Sequence, residues 1–138
     1  MSPKAIVLAA CLLLGFGCVA AAHHSNAAYD LDHPQTVEGT VKQVNWTNPH
    51  ISFVIEIDAK EGQKQGQKEG QPAGTWVFEV SSPGVLTRSG WNKRSLQPGD
   101  HATFQYAPLR DGKPGGFLRK VTLSNGQELT YTLTPEEQ

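Results

Sequence analysis

The chain has 138 residues, with 12 Lys and Arg against 13 Asp and Glu, five His, two Cys and three Trp. Its formal net charge of −1 and the lack of any long basic run exclude a phosphate-tracking surface, so nucleic acid is not an expected partner. This length suits one compact core and not two.

The first element in chain order is an export signal. Lys4 supplies a positive start, residues 5–19 form an apolar stretch without a charge, and Ala20, Ala21 and Ala22 supply the small residues a signal peptidase needs. Residues 1–22 are therefore predicted to be a cleaved signal peptide, which places the mature protein in the periplasm or outside the cell with no membrane span. An uncleaved anchor helix is disfavoured because the apolar run is short for a bilayer. Lipidation at Cys11 is disfavoured because only about six apolar residues precede it, fewer than the usual seven or more. Cys18, after Gly15-Phe16-Gly17, matches that signal poorly.

Cleavage after Ala22 removes 22 of 138 residues and leaves 116, with 11 basic against 13 acidic side chains. Both cysteines leave with the peptide. The mature chain then has no disulfide, thiol nucleophile or thiolate ligand, and its stability rests on packing alone.

Residues 23–35 read as a polar N-terminal arm that becomes ordered only by docking. A single β-domain is expected over residues 36–134. Its first strand, residues 36–46, alternates at Val37, Gly39 and Val41 and then slips by one to Val44 and Trp46, as a β-bulge would require. Asn48-Pro49 interrupts the ladder. Residues 50–58 then alternate cleanly, with Ile51, Phe53, Ile55 and Ile57 on one face. Residues 59–74 are a low-complexity run of Gly, Gln, Lys and Glu, expected to be a flexible, dispensable hairpin tip.

Trp76, Phe78 and Val80 mark a third strand. Ser82-Pro83 reads as an N-cap with proline in the first turn of a short helix that buries Val85 and Leu86 and stops at Gly90. Residues 96–100 form a turn into a strand over 102–106, and residues 110–116 form a second loop. A strand over 117–123, a turn centred on Asn125-Gly126 and a strand over 128–133 complete the domain. The three tryptophans, Trp46, Trp76 and Trp91, are expected in the core. About six strands with one helix after the third favour a small antiparallel OB-like barrel over an immunoglobulin-like sandwich.

Several motifs lie on this framework: His23-His24-Ser25 at the mature start, Trp46-Thr47-Asn48-Pro49-His50, Ser82-Pro83, Arg88-Ser89-Gly90-Trp91, residues 96–100 and Asp111-Gly112. Together they resemble a family of small exported bacterial proteins catalogued as a domain of unknown function. The resemblance spans nearly all of the mature chain, apart from the low-complexity insertion. It implies export and one small β-domain, and no catalytic residue.

The histidines carry the chemistry that remains. An N-terminal histidine can chelate a metal through its α-amino group and imidazole together, and copper favours nitrogen donors in tetragonal geometry. The expected metal ligands are His23, His24 and His50, the last held by the proline before it. The competing reading makes His23 and His24 a plain polar terminus, and gives His50 a strand-capping role with its ring beside Trp46. His33 and His101 read as turn residues. Zinc, through imidazoles and Asp30 or Asp32, lacks a closely spaced ligand motif.

No nucleophile elbow, phosphate loop or metalloprotease helix is present, and Glu56, Asp58 and Glu79 read as solvated or cross-strand paired. The expected function is a periplasmic, non-enzymatic binding protein, with copper as its candidate cofactor. The alternative is a metal-free envelope module whose barrel face, or region 88–94, binds another protein or a glycan. A copper oxidase or oxygenase is a third, weaker option.

Overall fold

The computed structural model describes residues 26–57 and 73–131. The expected signal peptide, His23, His24, residues 59–72 of the low-complexity tip and the last residues of the domain lie outside the described residues, and Gly74, expected to end that tip, is strand instead.

The chain forms strand β1 (Gln35–Asn45), β2 (Ser52–Ile57), β3 (Gly74–Glu79), helix α1 (Pro83–Arg88), β4 (His101–Pro108), β5 (Gly115–Leu123) and β6 (Glu128–Thr130). Strand β1 pairs with β2 on one side and β4 on the other, β2 pairs with β3, and β4 with β5, all antiparallel. A parallel ladder between β3 and β5 (Val77 with Gly115, Glu79 with Phe117) then closes the ring. The result is the expected OB-like barrel of five strands, with β6 added outside the ring. The closing ladder alone departs from an all-antiparallel barrel.

The phase slip in β1 is the expected bulge. Its register to β2 shifts between Val41 and Gln43. The extra residue bends β1, so its first half pairs with β4 and its second with β2. At the bend, the Val41 backbone bonds the turn before β4: its N–H donates to Asp100 O at 2.9 Å and its carbonyl accepts from Gly99 N at 2.8 Å.

Alternation decides the core. Ile51, Phe53, Ile55, Ile57, Trp76, Phe78 and Val80 are all buried, as their period requires. They meet Phe104 and Tyr106 from β4. Phe78 lies 4.8 Å from the Tyr106 ring and 5.7 Å from Phe104, and Trp76 meets Tyr106 edge-on at 5.7 Å. Such aromatic pairs add about 0.5–1.5 kcal/mol each beyond the area they bury.

Helix α1 buries Leu86 in the core. Ser82 is its N-cap, accepting a hydrogen bond from Val85 N, and Gly90 follows the last turn at φ 89°. That reversal delivers Trp91 to the core, where its indole N–H donates to Thr130 O at 2.9 Å. Trp46 differs from the expectation: it is only partly buried and packs against the core from outside.

The loop expected over 110–116 ends earlier than its composition suggests. Gly115 and Gly116 begin β5, because only a residue without a Cβ can lie there. A Cβ on Gly115 would collide with Val77 O, and one on Gly116 with Ala107 O. Among the described residues no helix is long and apolar enough to cross a membrane.

Candidate functional site

The N-terminal arm docks through Tyr29. Its backbone bridges to Leu109, Asp30 N donates to Pro108 O at 2.8 Å, and Arg110 N donates to Ala28 O at 2.9 Å. The ring is buried against Phe117, with centroids 5.6 Å apart, and Tyr131 also packs on Phe117, at 5.7 Å. The hydroxyl donates to Glu79 Oε2 at 2.9 Å. Burial, and secondarily the Glu79 carboxylate, push the Tyr29 phenol above its ordinary pKa, so it stays a donor.

Glu79 is exposed at the end of β3 and pairs across the sheet with Ser52. Past Ser52, Ile51 continues the pairing: its N–H donates to Ser81 O at 3.1 Å and its carbonyl accepts from Val80 N at 2.9 Å. Ile51 points inward, so Ser52 after it belongs to the outer face, and His50 lies before β2 in the segment that follows the bend at Asn48 and Pro49. The Asn48–Pro49 bond before His50 is cis. His50 is exposed, and neither ring nitrogen has a hydrogen-bond partner among the described residues. A strand-capping role would require such a bond.

The other histidines lie elsewhere. His33 Nδ1 sits 3.0 Å from Asp30 Oδ2, and this hydrogen bond, helped by the Arg110 charge, holds the Asp30 carboxyl below the usual carboxylate range. His101 opens β4 beside a shallow concavity of about 170 Å³ lined by Glu38, Thr103 and Thr122. Glu56 accepts from Thr75 Oγ1 at 3.0 Å, a cross-strand pair as expected. Among the described residues, no three His, Cys, Asp or Glu side chains group to hold a metal. The structure thus describes His50 of the three expected ligands, and His23 and His24 lie outside it.

A family model, described as a family of unknown function (DUF6152), matches residues 10–120. The chain belongs to DUF6152. That agrees with the resemblance at the level of an uncharacterised family and assigns the DUF6152 barrel no chemistry. No curated protein and no solved structure matches the chain.

Sequence reasoning did not find the pairing of Tyr29 with Glu79. The two are 50 positions apart and belong to no common motif. Tyr29 was a residue in a polar lead-in, and Glu79 an outward carboxylate on an alternating strand.

Proposed function

We propose that this DUF6152 protein is exported, loses residues 1–22, and acts in the periplasm as a non-enzymatic metal-binding module. In this reading His23, through its α-amino group and imidazole, His24 and His50 hold one copper ion. Imidazole and amine nitrogens in tetragonal array are the donor set copper prefers.

The observation that supports the reading is the docking of the arm. Tyr29 is fixed to Glu79, and Glu79 neighbours Ser52, two residues from His50. His24 lies five positions before Tyr29, and Asn26–Ala28 between them form a 3-10 turn, which advances about 2.0 Å per residue. In this reading the short tether brings the terminus to His50, whose imidazole nitrogens have no hydrogen bond among the described residues.

Titration of the processed protein with Cu(II), followed by EPR, tests it. The expected result is nitrogen hyperfine coupling at one equivalent, with affinity reduced at least tenfold in His50→Ala and in a protein carrying one added residue before His23. Equal affinity in all three proteins would sink the proposal. It would leave the metal-free envelope module, for which substitutions at Arg88 and Arg94 beside Trp91 are the corresponding test.

A further inference from the structure

The concavity beside His101 lies on the outer face of β1, β4 and β5. One row of cross-strand neighbours crosses it, Glu38 opposite Thr103 and Thr103 opposite Thr122. All three are half-buried and alternate with the inward Val37, Ala102 and Val121, so their side chains point out of the barrel. His101, two residues before Thr103, and Ser124, just past β5, complete the polar wall. The turn at Ser124 is fixed by Leu123, whose N–H donates to Gln127 O and whose carbonyl accepts from Gly126 N, each at 2.9 Å. Groups held on paired strands and a bonded turn are set in place before a ligand arrives.

The wall has the chemistry of hydroxyl recognition. The side chains of His101, Thr103, Thr122 and Ser124 make no hydrogen bond with another described residue. Each hydroxyl can donate one hydrogen bond and accept two, and a neutral imidazole can do one of each. Glu38 adds a carboxylate with about four acceptor sites, enough to keep a protein partner and still serve a ligand. Neither Lys nor Arg lines the concavity, so its charge opposes an anionic ligand. Ala102 and Leu123 supply the apolar part of the wall.

A sugar ring matches that pairing, with hydroxyls around its edge and C–H groups on its faces. The volume of about 170 Å³ is below the roughly 300–1,000 Å³ of drug-sized sites and suits a single ring. A bare cation would find only Glu38 and His101, fewer than the three or four protein ligands of a zinc site. We infer that this concavity binds one neutral sugar unit, with Glu38 accepting from its hydroxyls and Thr103, Thr122 and Ser124 completing the contacts. The site uses none of the residues of the metal-binding reading and stands or falls without it.

Heteronuclear NMR of the nitrogen-labelled protein, titrated with glucose, N-acetylglucosamine and glucuronate, tests the assignment. Both neutral sugars are expected to give saturable shifts at the amides of residues 101–103 and 122–124. Glucuronate, whose carboxylate meets Glu38, is expected to bind at least about tenfold more weakly. Glu38→Gln should weaken glucose binding about tenfold and narrow the gap to glucuronate. Thr103→Val, which keeps the side-chain shape, and Ser124→Ala, at an exposed turn, should each weaken it about threefold. No saturable response to either neutral sugar, or shifts confined to other segments, would overturn the inference. So would glucuronate binding as tightly as glucose, or equal glucose affinity in wild type and all three variants. Saturation by Zn(II) alone, with no response to sugar, would assign the concavity to a cation and overturn it as well.

Discussion

Two tyrosines tie the barrel's stability to pH. Tyr29 and Tyr106 both have phenols pushed above the ordinary value, Tyr106 by burial and Tyr29 by burial and then by Glu79. A raised pKa in the folded state means that the native protein holds a proton the unfolded chain has released. The stability from each group is complete below about pH 10, the ordinary tyrosine value, and falls as pH rises toward the native pKa. Urea midpoints should therefore hold up to about pH 9 and drop as pH rises past about pH 10, and less steeply in Tyr29→Phe and Tyr106→Phe. An unchanged slope in both variants would show that neither phenol is linked to folding. Neither shift was legible in sequence, since Tyr29 sits in a polar segment and its carboxylate partner is 50 residues away.

Elements owe their positions to two kinds of signal. The bulge in β1 and the cap of α1 were readable because they are local: a one-residue phase slip at Val44, and Ser82-Pro83 before an apolar pair. The start of β5 was not. Gly115-Gly116 after Lys113-Pro114 has the composition of a loop, yet both glycines are buried where β5 slips between Val77 and Ala107. Gly116→Ala drives a Cβ into the Ala107 carbonyl, and is expected to cost more than about 2 kcal/mol by urea denaturation. Gly112→Ala meets no atom and strains only a φ of 79°, so about 1 kcal/mol is expected. Equal costs would mean that the β3–β5 closure tolerates a side chain.

At the scale of the molecule, the low-complexity run joins two strands that pair up to their ends. Ile57 at the end of β2 pairs with Gly74 at the start of β3, so the ends of the run are held by the sheet. Replacing residues 58–73 by a two-residue Asn-Gly turn should leave the urea midpoint the same or slightly higher, because each halving of loop length recovers only about 0.6 kcal/mol. Loss of cooperative unfolding would show that the run contributes to the core. The sequence by itself determined the inward faces of β1, β2 and β3, the bulge, the capped helix and the OB-like class, since period, phase and capping chemistry act over a few residues. Only the tertiary structure decided how the ring closes, through a parallel ladder of non-neighbouring strands. It alone set Tyr29 on Glu79 and left His50 exposed. Those outcomes depend on which distant segments meet, and that is fixed by the packing of the whole barrel.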